Sequence, residues 1–121
     1  MIYKQFAIHD VHALPLGIPV RTTGKIGSWS DAYIEKGFFI LSLRETSNNG
    51  NVYGLICRLP VKDEKVLGEI SADELTDWVI TSVKKSAEVT ISGRLFPTNH
   101  WESITAEGRH MLVDEIEFVD D

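Results

Sequence analysis

The chain has 121 residues, of which 43% are hydrophobic and 25% charged, and its formal net charge is −6 at pH 7. This length fits one domain with a substantial core, and the composition is that of an ordinary soluble globular protein. The acidic balance argues against a general nucleic-acid binder, because attraction to phosphates is the sequence-independent part of such affinity.

The charge is unevenly distributed along the chain. Residues 1–60 contain six basic residues against four acidic ones, whereas residues 61–121 contain six against fourteen. The first half can therefore still present a basic surface. No apolar run approaches the roughly 20 residues that span a bilayer, and the N-terminus lacks the apolar core of a signal peptide, so we expect a cytoplasmic protein without membrane contact. The single cysteine, Cys57, excludes a disulfide framework and is expected to be buried.

The N-terminal segment is predicted to be an extension, residues 1–18, that packs on a domain formed by residues 19–121. Its second half contains Pro15 and is followed by Pro19, so it makes a poor central strand. From Val20 to Ile26 apolar and polar residues alternate, which predicts the first strand of the domain. The segment that follows, residues 28–36, is predicted to be a polar loop with two aromatic residues.

The strongest strand pattern of the chain lies at residues 37–44. Its alternation is expected to place three side chains in the core, Phe39, Leu41 and Leu43, and the alternate ones on the outside. An Asn-Asn-Gly turn then leads to a return strand over residues 51–59, which Pro60 is expected to end.

A capping-box pattern predicts a helix that begins after Ser71, with a glutamate three residues on at position 74. Leu75, Trp78, Val79 and Val83 would form its apolar face. A strand is predicted over residues 87–96, with alternate residues from Ala87 to Leu95 facing inward. After a long loop, residues 97–110, the final strand is predicted at 111–118.

No pattern supports an enzyme. A phosphate loop around Gly24 is excluded, because Pro19 stands where it needs a glycine and Ile26 where it needs Ser or Thr. His9 and His12 have no companion ligands at metal-binding spacing, so no metal site is predicted, and no cofactor is expected. Nothing in the sequence pairs a nucleophile with a base.

Three strands, one helix and two further strands predict an all-β fold: a five-stranded OB-fold barrel with one helix between strands 3 and 4. The pattern Val20-x-x-x-Gly24-x-Ile26, the apolar run at 38–43 and the run at 84–95 also resemble the single-stranded DNA-binding (SSB-like) branch of that fold. The last run is similar to that family's Lys-Gly-x-x-Val-x-(Val/Ile)-x-Gly-x-Leu pattern. The resemblance covers roughly residues 20–119, although the segment before the helix is longer than is usual in that family.

The resemblance implies a non-enzymatic protein that binds single-stranded nucleic acid, DNA more than RNA, with little sequence preference, and that forms a homo-oligomer. An OB-fold binds single strands with strands two and three and the adjoining loops. Bases stacked on aromatic rings contribute about 1–3 kcal/mol each, and cations neutralise the backbone. The candidate binding residues are Lys25, Trp29, Tyr33, Lys36, Phe38, Arg44, Tyr53, Arg58, Arg94, Trp101 and Arg109.

The alternative is an OB-fold protein-interaction or oligomerisation module that does not bind nucleic acid. Its interface would be the apolar outer face that contains Phe38, Ile40, Val52 and Ile56, and the acidic net charge favours this hypothesis. Phe38 and Tyr53 fit base stacking and a packed interface or core equally well.

Overall fold

The computed structural model describes residues 2–28, 32–46, 50–97 and 109–118. The strands are β1 (Lys4–Gln5), β2 (Pro19–Ile26), β3 (Tyr33–Glu35), β4 (Phe38–Thr46), β5 (Val52–Lys62), β6 (Lys65–Val66), β7 (Ile70–Ser71), β8 (Glu88–Pro97) and β9 (Arg109–Phe118). The helices of the described residues are α1 (Ile8–Val11), which lies between β1 and β2 in the chain, and α2 (Ala72–Lys85), which lies between β7 and β8.

The five long strands close into a barrel in the order β2, β4, β5, β9, β8. Neighbouring strands in this order pair antiparallel, except that β5 and β9 run parallel, and β8 returns to β2. Closure pairs both sides of each of these strands, which leaves no open edge in the ring. The predicted mostly-β fold, a five-stranded barrel with a helix, is therefore confirmed.

The barrel interior follows the predicted alternation. Phe39, Leu41 and Leu43 of β4 are buried, as are the inward-facing residues of β8. In β8, Gly93 is required sterically, because a Cβ there would collide with the backbone carbonyl oxygen of Leu112. The β8–β9 register shifts at this point, which is a β-bulge. The shift changes the face that β9 presents, so Met111 and Val113 are buried before it, whereas Ile116 and Phe118 pack against the core after it.

Helix α2 begins where the capping pattern predicts. The hydroxyl of Ser71 accepts a hydrogen bond from the backbone N–H of Glu74 (3.1 Å), which satisfies one of the free donors of the first turn. Leu75 and Val79 are fully buried, whereas Trp78 is 41% exposed and packs edge-on against the ring of Phe118. The apolar face of α2 is thus narrower than predicted.

Two segments differ from the sequence prediction. Residues 33–35 of the predicted polar loop form β3, which pairs with β4 through a tight turn at Lys36 and Gly37, both at positive φ (48° and 83°). Strand β5 continues past Pro60 to Lys62 and turns into the β5–β6 hairpin. Proline is tolerated at this strand end, where its carbonyl accepts a hydrogen bond from the Leu67 amide (2.7 Å).

The N-terminal segment contacts the barrel through β1, which pairs parallel with β2, and through α1. Ile8 and Val11 are fully buried in the main core cluster. A Cβ at Gly24 of β2 would lie 2.6 Å from the Ile8 side chain, so a glycine makes room for it. The carboxylate of Glu45 on β4 accepts the backbone N–H groups of Ile8 (3.0 Å) and His9 (3.2 Å) and also pairs with the His9 imidazole.

The pairing of His9 with Glu45 links the docking of α1 to pH. Hydrogen bonding to Glu45 raises the pKa of His9 above its ordinary 6.5. Burial alone would raise the pKa of Glu45, but its hydrogen bonds to His9 and to the Ile8 amide lower it below 4.5. The His9 contribution is complete below pH 6.5 and is lost as the pH rises through its folded-state pKa. The Glu45 contribution is complete above pH 4.5 and is lost on acidification, so both are complete between pH 4.5 and 6.5.

Candidate nucleic-acid interface

The predicted binding face is the outer surface of β2, β4 and β5. Register partners on neighbouring strands share a face of the sheet, so the pairing defines rows that run across the barrel. One row joins Lys25, Arg44 and Gly54, and a second joins Tyr33, Ile40 and Arg58.

The first row holds two exposed cations. Lys25 of β2 and Arg44 of β4 are direct register partners, and both are exposed. The Arg44 side chain lies over Gly27, where a Cβ would collide with its guanidinium group. Glu88 of β8 is the register partner of Lys25 on its other side. Like charges directly opposite each other repel, and an anion between Lys25 and Arg44 would relieve this repulsion.

The β3–β4 hairpin supplies the aromatic end of the face. Tyr33 is 49% exposed, and its register partner is Ile40. Lys36 is exposed in the turn, and Phe38 is half-buried at the start of β4. The guanidinium carbon of Arg58 lies 5.5 Å from the centroid of the Phe38 ring, a distance at which a cation and a ring attract each other.

The centre of the face is buried, which differs from the expectation for Arg58. This arginine is only 1% exposed, and its Nε donates a hydrogen bond to Nδ1 of His110 (3.2 Å), which is also 1% exposed. Ile40 is buried beside them. Arg58 points away from the core as predicted, but in this conformation it offers no phosphate contact.

Burial determines the charge state of this pair. Loss of solvation, with a smaller contribution from the Arg58 charge, lowers the pKa of His110 to about 4. The imidazole is therefore neutral at pH 7, and Nδ1 is free of a proton to accept the bond from Arg58. The same loss of solvation lowers the pKa of Arg58, although it remains a cation. In the sequence, His110 falls at the end of a predicted loop. Its position just before the last strand is the only feature there that relates to its hydrogen bond with Arg58.

Of the remaining candidates, the described residues Tyr53 and Arg94 do not join the face. Tyr53 lies on the inner side of β5, and its ring is 5.5 Å from that of His9 at an angle of 45°. Arg94 of β8 is half-buried and is the register partner of Pro19, at the opposite end of β2 from Lys25. Arg109 begins β9, but its side chain lies outside the described part of the chain, as do Trp29 and Trp101 entirely.

The described residues give no support for two other kinds of site. They bring together no group of three or more His, Cys, Asp or Glu side chains that could hold a metal ion. Burial raises the pKa of the Cys57 thiol, so at neutral pH it remains protonated in the barrel core. Within the same residues, no helix has the length and apolar character needed to cross a bilayer.

The fold defines a class of mostly-β barrel proteins, and comparisons with known proteins agree at that level. No family model and no curated protein matches this chain. A solved structure of an OBody bound to hen egg-white lysozyme is similar to it, with a TM-score of 0.58 and 15% sequence identity. The match covers 99% of this chain and 98% of that chain. At this identity the likeness concerns the fold alone, and it is compatible with an OB-fold.

Proposed function

We propose that the chain is an OB-fold, with α2 between its third and fourth barrel strands, that binds single-stranded nucleic acid without catalysing a reaction. The observation that carries the proposal is the exposed pair Lys25 and Arg44, side by side on the outer face of neighbouring barrel strands. Tyr33 of the neighbouring strand β3 is exposed and lies on the same face of the sheet. OB-folds bind single strands on the corresponding surface.

The geometry favours a path along β4. From Arg44 to Phe38 the strand rises over six residue steps, about 20 Å at roughly 3.3 Å per step. Phosphates bind at Lys25 and Arg44 and, at the β3–β4 turn, at Lys36, and bases stack near the hairpin on Tyr33 and on the accessible part of Phe38. Stacking accepts any base, so little sequence preference follows. DNA is favoured over RNA by the resemblance to the SSB-like family.

A direct binding experiment tests this proposal. The anisotropy of a labelled oligo-dT is titrated with the protein at about 50 mM salt, where phosphate contacts are strongest, and a duplex of equal length serves as the comparison. We expect binding of oligo-dT in preference to the duplex. Absence of oligo-dT binding under these conditions would refute the proposal.

A second candidate function is a protein-interaction module, and the edge of β3 favours it. Within the described residues β3 pairs only with β4, and both Tyr33 (49% exposed) and Ile34 (56% exposed) lie on it. An open edge can accept a strand from another chain, including a second copy, which would give the predicted homo-oligomer. Sedimentation of the wild type and of Ile34→Lys tests this, because a charge on the edge should dissociate such an oligomer.

A further inference from the structure

A cleft of about 400 Å³ lies on the side of the barrel formed by β8 and β9, with Arg21 of β2 in its lining. Its apolar part consists of Leu67, Ile70 and Ile116, all half-buried. Leu67 and Ile70 belong to the connection between β6 and α2, and Ile116 belongs to β9. The cleft therefore combines a barrel wall with an overhanging segment.

Carboxylates surround this apolar part. Glu69, Asp114, Glu115 and Glu117 line the cleft, and all four are exposed. Arg21, the cation of the lining, donates from Nε to the Ser92 hydroxyl (2.9 Å), and its guanidinium lies 4.0 Å from the Glu115 carboxylate. Four acids against one base give the cleft a strongly negative potential, which low-dielectric walls concentrate.

The overhanging segment is held in place. The amide of Leu67 donates to the Pro60 carbonyl (2.7 Å), and the amide of Glu69 donates to the Val66 carbonyl (3.1 Å). Leu67 has φ of 56°, which is unfavourable for a bulky residue and needs such support. On the barrel side, the Tyr3 hydroxyl donates to Asp114 (2.9 Å). The cleft is thus formed before a ligand arrives, which lowers the entropic cost of binding.

We propose that this cleft binds a lysine- or arginine-bearing, partly apolar peptide segment of a partner protein. The acidic residues at the rim of the cleft favour a peptide with positively charged side chains. The apolar floor accepts both the alkyl stems of lysine or arginine side chains, whose charged heads reach the rim, and neighbouring aliphatic side chains. A polyanion is repelled by the cleft, so this site is separate from the proposed nucleic-acid face.

Two synthetic hexapeptides test the proposal, one alternating lysine with leucine and one alternating lysine with glycine. Both carry three lysines, so they differ only in apolar side chains. Fluorescence anisotropy at about 50 mM salt should show binding of the lysine–leucine peptide at least 10-fold tighter than that of the lysine–glycine peptide. Equal affinities, or no binding of either, would overturn the proposal.

A pair of triple variants locates the binding. Glu69→Gln, Glu115→Gln and Glu117→Gln together should weaken the lysine–leucine peptide more than 10-fold. The control variant changes three exposed acids outside the cleft, Asp63→Asn, Glu64→Gln and Asp77→Asn, and should change affinity less than 3-fold. Equal losses in both variants would show attraction to net charge alone and overturn the proposal.

Two further measurements distinguish this peptide site from the nucleic-acid face and from a dimer interface. The affinity of the cleft variant for oligo-dT should match or exceed that of the control variant, so the cleft proposal and the nucleic-acid proposal fail independently. Sedimentation equilibrium should show the same oligomeric state for both variants. If the wild type and the control variant are dimers and the cleft variant is a monomer, the cleft binds a second copy of the chain. This result would overturn the proposal.

Discussion

Removal of the exposed cations Lys25 and Arg44 should change the salt dependence of oligo-dT binding in a calculable way. With Lys36, three exposed cations can contact phosphates on the proposed face. For single strands the slope of log affinity against log salt is about −0.7 per phosphate contact, so the wild type should show a slope of about −2. The variant Lys25→Ala, Arg44→Ala keeps one contact and should show a slope of about −0.7.

The same relation gives the change in affinity. Between 50 and 200 mM salt, wild-type affinity should fall about 20-fold and that of the double variant about 3-fold. At 50 mM salt each contact contributes about 8-fold by extrapolation to 1 M, so the double variant should bind about 60-fold more weakly. Anisotropy titrations of labelled oligo-dT at four salt concentrations measure both quantities.

A matched variant controls for net charge. Lys62→Ala, Lys65→Ala also removes two positive charges, but these lysines lie at the β5–β6 hairpin, outside the Lys25–Arg44 row. Its slope should stay near −2, with affinity within about 3-fold of the wild type. If the Lys25, Arg44 variant behaves in the same way as this control, the phosphate contacts assigned to Lys25 and Arg44 are wrong.

Three other changes test separate features of the molecule. Gly27→Ala should displace the Arg44 side chain without altering charge, and should lower oligo-dT affinity by up to about 8-fold at 50 mM salt; unchanged affinity would argue against Arg44. Gly93→Ala forces a Cβ against a backbone carbonyl and should cost about 3 kcal/mol, seen as a melting temperature lower by about 10 °C. The control Gly54→Ala meets only an atom 3.9 Å away, and equal losses would refute the steric argument. In the wild type we expect the protection factors of the α1 amides, which are corrected for the intrinsic pH dependence of exchange, to fall between pH 5.5 and 8.5, and His9→Gln should remove this fall; wild-type protection factors that do not change with pH would contradict the linkage.

Local patterns predict most of the barrel. The alternation from Ala87 to Leu95 is strict because one face of that strand fills the core, and the structure buries the predicted face from Val89 to Leu95, whereas Ala87 is half-buried. Ser71 caps α2 because its hydroxyl reaches an amide within the same turn, an interaction that depends on sequence neighbours alone. Features that depend on residues close in sequence are thus accessible without a structure.

Features that depend on tertiary packing cannot be predicted from the local sequence. Helix α1 has only four residues, too few to show a period, and its burial comes from contacts with β2, β4 and β5. The bulge opposite Gly93 changes the face of β9 through its pairing with β8, and nothing in the β9 pattern itself shows this. Strand β3 is not predicted from the sequence, because the turn that joins it to β4 has positive φ at Lys36 and lysine does not indicate that conformation.

The candidate site also combines features that the local sequence predicts with features that depend on tertiary packing. Lys25 and Arg44 are nineteen residues apart in the sequence, and only the β2–β4 register brings them together. Arg58 does face outward from β5, as alternation predicts, but its burial with His110 depends on what packs over the sheet. Residue type and strand alternation therefore identify candidate cations, and the fold determines which of them reach solvent.

Amide chemical-shift mapping tests the proposed nucleic-acid face most directly. A ¹⁵N-labelled sample is titrated with oligo-dT at about 50 mM salt, and shifts are followed for the described residues. We expect the largest changes on β2, β4 and the β3–β4 hairpin, around Lys25, Tyr33, Lys36 and Arg44, with little change along the β9 cleft. Shifts confined to the cleft, or no shifts under these conditions, would contradict binding at this face.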